Sequence, residues 1–113
     1  MSPQEATALH VLAYVLLHNG QPDKAAVLLE AVDALRPGDT RTVLALATAH
    51  LRGGAAARAL HALDRFTRDA PVPPTANLLR AQALSLLDRP AEAKVAMQAF
   101  LDPTPSPLTR TIR

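Results

Sequence analysis

Residues His18–Asp39 read HNGQPDKAAVLLEAVDALRPGD, and this stretch decides the fold. Asn19-Gly20-Gln21 is a turn signal, Pro22 fits the first position of a helix, and Pro37-Gly38 stops that helix. Inside it, Ala25, Leu29 and Val32 recur with the spacing of one helical face. The same signals return 34 residues later at Gly54, Ala59, Leu63, Phe66 and Pro71. They return again at Ala93, Met97 and Phe100, while Ala13, Ala47 and Ala81 keep the same 34-residue step. The repeating unit is therefore a helix–turn–helix. One such unit cannot bury its own apolar face, so neighbours must stack.

Working outward from this unit places six helices. Ser2-Pro3-Gln4-Glu5 is a capping box with Pro at the first helical position, opening a helix to about His18. The second helix runs from Pro22 to Leu35, and Asp39 caps a third that ends at Arg52. Gly53-Gly54 turns the chain into a fourth, expected from Ala55 to Arg68. Ala70-Pro71-Val72-Pro73-Pro74 is the strongest breaker, and Pro74 opens a fifth helix to Leu87. Asp88 or Arg89 caps a sixth, with Pro90 at its start and its end near Leu101. One domain is expected over 1–102, with repeats about 6–39, 40–73 and 74–102. Residues 103–113 hold Pro103, Pro105 and Pro107 and read as a flexible tail.

A 34-residue period with small, small, large, large and Pro at these offsets resembles the tetratricopeptide repeat. The expected fold is all-α: three tetratricopeptide-like hairpins forming a short right-handed superhelix with a concave groove. Ala13 with Ala25, Ala47 with Ala59, and Ala81 with Ala93 mark the close crossings within hairpins. Leu12, Leu16, Leu29, Val32, Leu46, Leu63 and Phe66 fill the space around them. The third unit departs from the pattern. Asn77 and Arg80 stand where the first unit has Leu9 and Leu12, and Asp88 replaces the turn glycine. A rotated helix, with Leu78 and Leu79 turned inward, is one way to accommodate them.

Repeats of this type bind other polypeptides on the first helix of each unit. By phase, the inner surface takes Thr7, His10, Tyr14, Leu17 and His18 from the first unit. The second gives Arg41, Leu44, Thr48, Leu51 and Arg52, and the third Thr75, Leu78, Gln82, Ser85 and Leu86. The partner-binding set is Tyr14, Leu17, His18, Leu44, Leu51, Arg52, Leu78 and Leu86. Contiguous apolar surface of this kind marks a site for an apolar helical segment. The alternative is that these leucines are core and the phase is shifted by one. The sixth helix, with Val95, Met97, Phe100 and Leu101, is expected to keep an apolar flank that a capping helix would normally cover.

Composition narrows the function further. The chain of 113 residues is 49% hydrophobic but only 3% aromatic, so Ala, Leu and Val must form the core. Lys+Arg is 12 and Asp+Glu is 10, and Arg110 and Arg113 in the tail account for the excess. No nucleic-acid partner is expected from so even a balance. Arg58, Arg65 and Arg68 form a stripe on the fourth helix, but Asp64 and Asp69 interleave with it, as on a solvated face. There is no cysteine, no Gly-x-Ser-x-Gly elbow and no phosphate-cradling glycine loop, so no enzyme and no cofactor are expected. His10 and His18 have no acidic ligand in phase, so no metal is expected. His50 falls on a packing position and His61 on the surface. No run is apolar for long enough to insert in a membrane, and no basic leader opens the chain, so a cytoplasmic protein is expected. A clamp for a partner's terminal carboxylate needs Lys and Asn on the inner face, where His10, Tyr14 and Leu78 stand instead.

Three small units with an apolar groove resemble the small chaperones of bacterial type III secretion. The likeness is greatest to the Y-type export-apparatus chaperones (the SctY/YscY family). It is carried by His18–Asp39 and by LLRAQALSLLDRPAEAKVAMQAFLD (Leu78–Asp102). The middle stretch LRGGAAARALHALDRFTRDAP (Leu51–Pro71) agrees in length but is richer in Ala and Arg. The resemblance covers roughly residues 8–102. It implies a cytosolic chaperone holding one small secreted X-type protein in a heterodimer, with that partner's helices in the groove. It further implies docking of the pair on the cytosolic part of the export-gate membrane protein. The sibling G-type chaperone of the needle subunit and a generic interaction scaffold are the alternatives.

Overall fold

The computed structural model describes residues 1–66 and 72–102. Those residues form six helices: α1 (Pro3–His18), α2 (Pro22–Leu35), α3 (Thr40–Arg52), α4 (Ala56–Leu63), α5 (Pro74–Leu86) and α6 (Pro90–Leu101). The Ser2 hydroxyl accepts from the Glu5 backbone N–H at 3.1 Å, and the Glu5 carboxylate accepts from the Ser2 N–H at 3.1 Å. That pair is the expected capping box, and its hydrogen bonds hold the Glu5 carboxyl below the ordinary carboxylate value. Asp39 caps α3 by accepting from the Arg41 N–H at 3.0 Å. Gly20 and Gly54 turn within the first two hairpins at φ +72° and +79°, and Asp88 takes the same place in the third at φ +58°.

The fourth helix is shorter than the Ala55–Arg68 expected from the pattern. After Leu63 the backbone tightens, with Arg65 N–H donating to the Ala62 carbonyl at 3.2 Å and Phe66 N–H to that of Leu63 at 3.1 Å. Such i to i−3 bonds close a helix with a narrower turn. Arg68 and Asp69 of the expected stripe, and the tail at 103–113, lie outside the described residues.

The small-residue positions are buried in all three units. Ala25, Ala47 and Ala59 are sealed completely, and Ala13, Ala81 and Ala93 nearly so. Leu29, Val32 and Leu63 are also fully buried around them. Three expected core residues differ. Leu12 is 48% exposed, because among the described residues no helix packs on its side of α1. Leu16 and Phe66 are only half-buried, Phe66 because it lies beyond the shortened α4.

The third unit keeps its phase and does not rotate. Ala76 and Ala81 are buried where Thr42 and Ala47 are buried in the second unit. Leu79 is buried and Leu78 half-buried within that register. Arg80 stays at its repeat position because it has partners there. Its guanidinium donates to Asp64 Oδ1 at 2.8 Å and to the Leu63 carbonyl at 3.1 Å, satisfying a backbone group at the end of α4.

Pairings between helices fix the layers. α1 packs with α2, α3 with α4 and α5 with α6, each as a hairpin. Successive hairpins meet through α2 on α3 and α4 on α5. In addition α1 touches α3 and α3 touches α5, whereas among the described residues α2 does not touch α4 and α4 does not touch α6. One layer is thus close-set and the other splayed, so the stack curves with α1, α3 and α5 on its inner side.

Candidate partner-binding groove

The inner layer is held together by a specific joint. His10 Nδ1 lies 2.8 Å from the Ala6 carbonyl, which can only accept, so that nitrogen carries the proton. His10 Nε2, 2.9 Å away from Thr42 Oγ1, then accepts from the Thr42 hydroxyl in the neutral ring. Thr42 is fully buried and His10 half-buried. His10 therefore leaves the inner surface on which the sequence placed it. It serves as the pin between α1 and α3.

The eight residues expected to contact a partner divide by burial. Tyr14 and Leu86 stand well out, 62% and 64% exposed. His18 and Arg52 are exposed as well. Leu17, Leu44, Leu51 and Leu78 are half-buried, and the first three of these pack against the central core with one side. Tyr14 and His18, one helical turn apart, make an edge-to-face pair with ring centroids 4.1 Å apart.

Three of the eight meet in one cavity. Leu51 and Arg52 at the end of α3, and Leu86 at the end of α5, line a hollow of about 430 Å³ together with Ala81, Gln82, Ser85 and Met97. Its wall is mostly aliphatic, and Arg52 is its single charged side chain. An open apolar hollow with one cation suits a helical segment that presents large aliphatic side chains beside an acidic or carbonyl group. Tyr14, Leu17, His18, Leu44 and Leu78 are not among its lining residues. Ala81 is a close-crossing position, and Met97 lies on the flank of α6 expected to stay apolar and uncovered. Met97 shares its repeat place with the sealed Leu29 and Leu63, yet is only half-buried because no described helix follows α6.

A second hollow, of about 640 Å³, is lined by Glu30, Asp33, His50, Arg58, His61 and Arg65, with Leu46, Ala57 and Ala62 as its apolar wall. Here the groups neutralise each other. Arg65 donates to Asp33 at 2.5 Å, which raises the guanidinium value further. His50 is buried, as its packing position implied, with Nε2 3.6 Å from Glu30. Burial lowers the His50 value, with Arg58 adding to that and Glu30 and Asp23 opposing it. Asp64 is taken by Arg80. Two acids thus engage arginines across unit boundaries, and one of these pairs takes Arg65 out of the basic stripe.

Among the described residues no three metal-ligating side chains gather, and no helix is long and apolar enough to cross a membrane. No curated protein matches the sequence. The tetratricopeptide repeat profile matches residues 16–83, more than half of the chain. With its stacked hairpins and close-set inner layer, the chain belongs to the tetratricopeptide repeat family, a non-catalytic fold for protein–protein interaction.

Proposed function

We propose that this protein is a chaperone whose inner groove holds apolar helices of one small secreted protein, as Y-type chaperones of type III secretion hold their X-type partner. The observation that carries the reading is the aliphatic hollow between Leu51, Leu86 and Met97, continued on the same inner layer by the exposed Tyr14. Surface of this kind is costly to leave in water, at about 25 cal/mol per Å² of apolar area. A secreted helix that would otherwise aggregate gains the same amount by entering it. The ordering of both chains offsets much of that gain, so affinity rests on a few anchor side chains. The resemblance over roughly residues 8–102 supports the secretion setting and the cytosolic location. Docking of the loaded chaperone on the cytosolic part of an export-gate membrane protein belongs to the same proposal.

The test is capture of the tagged protein from its native cytosol, with intact-mass identification of what accompanies it. One small helical secreted protein at 1:1 is the expected result. Leu51→Glu should abolish that capture while helix content stays unchanged. A needle subunit together with a third small chain would transfer the assignment to the G-type sibling. Capture unaffected by Leu51→Glu would remove the groove from the proposal.

A further inference from the structure

The surface of α1 facing away from the stack does not belong to the groove hollow, and it is the least accounted-for feature of the molecule. Between Glu5 and His18 the helix has no Asp, Glu, Lys or Arg. An uncharged stretch of three turns in which Thr7, His10 and Tyr14 are the only polar side chains is apolar over most of its circumference, and such a helix is usually covered on more than one side. Yet Val11 is 58%, Leu12 48% and Val15 44% exposed, and Ala8 is exposed beside them. The repeat shows what this face is for. Its counterparts in α3, which packs on α2, are Thr42, Leu46 and Ala49, all buried, and Ala45, half-buried. Those in α5 are Ala76, Leu79, Arg80 and Ala83, covered where α5 meets α4. The face of α1 is the same stacking surface, and among the described residues no helix stacks on it.

The order of residues on the face says what the neighbour is. Along one stripe lie Glu5, Ala8, Val11, Leu12, Val15 and His18, spaced symmetrically about the point between Val11 and Leu12. Turned end for end, this stripe matches itself. An antiparallel second copy sets Val11 on Leu12, small Ala8 beside branched Val15, and acidic Glu5 beside His18 at both ends. The middle carries no charge, so the two-fold axis brings no like charges together. We propose that α1 pairs with α1 of a second copy in an antiparallel, two-fold homodimer. Such a contact is isologous and closes after two chains. It leaves the hollow between Leu51 and Leu86 open, because those residues lie on other helices, and it shares only His18 with the partner-binding set.

Sedimentation equilibrium on the full chain tests it directly. The expected mass is twice the chain's 12.0 kDa, constant as concentration rises further. Leu12→Glu places two like charges beside the axis and should weaken dimerisation by roughly tenfold or more, with helix content checked by circular dichroism. His18→Lys should tighten the dimer and His18→Glu loosen it, since each faces Glu5. The chain has no cysteine, so a single Leu12→Cys should cross-link two copies under mild oxidation. Ala31→Cys, exposed on α2, should not. This second readout stands even if Leu12→Glu fails to fold. Leu51→Glu should leave the dimer intact, which separates this result from the groove. A monomer at all concentrations would overturn the proposal. So would open-ended growth, the sign of α6 of one copy stacking on α1 of the next, or a dimer that Leu12→Glu spares and Leu12→Cys does not lock.

Discussion

Leu12 of α1 and Leu46 of α3 occupy the same place in successive repeats, and they live in different solvents. Leu46 is 6% exposed and Leu12 48%. The same holds for Val15 against Ala49, where the larger side chain is the wetter one, at 44% against 1%. Burial in this protein is set by position in the stack rather than by residue type. A repeat supplies one half of each interface, and only a neighbour turns that half into core.

The sharpest way to break this comparison is to truncate both leucines. Leu46→Ala should cost about 2–5 kcal/mol in urea unfolding, the usual range for a buried leucine. Leu12→Ala, measured dilute enough to keep single chains, should cost no more than about 0.5 kcal/mol. Equal losses would mean that α1 is covered in solution by its own chain. Next in size is Ala59→Leu. Ala59 is fully buried at the α3–α4 crossing, and overpacking there should lower stability by about 1–3 kcal/mol. Arg80→Ala follows, with a loss of about 1 kcal/mol, because the ion pair with Asp64 is largely wet and the bond to the Leu63 carbonyl is the more protected part. Asp88→Gly should raise stability by roughly 0.5 kcal/mol, since glycine accepts the positive φ that Asp88 holds at some cost.

The smallest effect concerns pH. The His50 value is lowered in the folded protein from the ordinary 6.5, so the unfolded chain binds the proton more readily. Stability is then complete above pH 6.5 and falls as the pH drops below it. His50→Gln should flatten that part of a melting-temperature profile, and an unchanged slope would assign it to other groups.

The architecture was legible because two strong local signals, the 34-residue period and the proline-opened helices, agreed with each other. The six paired alanines are buried as read, because close helix crossings admit little else. What the period could not carry was anything set by the ends or by contacts between units. Leu12 matched its core counterparts and still faces water. Arg80 broke the pattern and still kept its place, because a guanidinium can reach two acceptors that a leucine cannot use. His10 read as an inner-surface residue, and only the position of Thr42 across the joint reveals it as a pin. Of the groove residues, Leu51, Arg52 and Leu86 come together in one hollow. Tyr14 and His18 meet each other through a spacing of four, which the sequence displays plainly.

Arg80 has a consequence for how such a chain can change over evolutionary time. It grips the end of α4 from within α5, through Asp64 and the Leu63 carbonyl. The register between the second and third hairpins is thereby written into the helices themselves. The proline-rich connector that joins them is relieved of setting it. Lengthening a connector adds only about 0.6 kcal/mol of closure cost per doubling. Insertions between Phe66 and Pro74 should therefore accumulate freely, while a substitution at Arg80 or Asp64 would let the third hairpin drift in its seating.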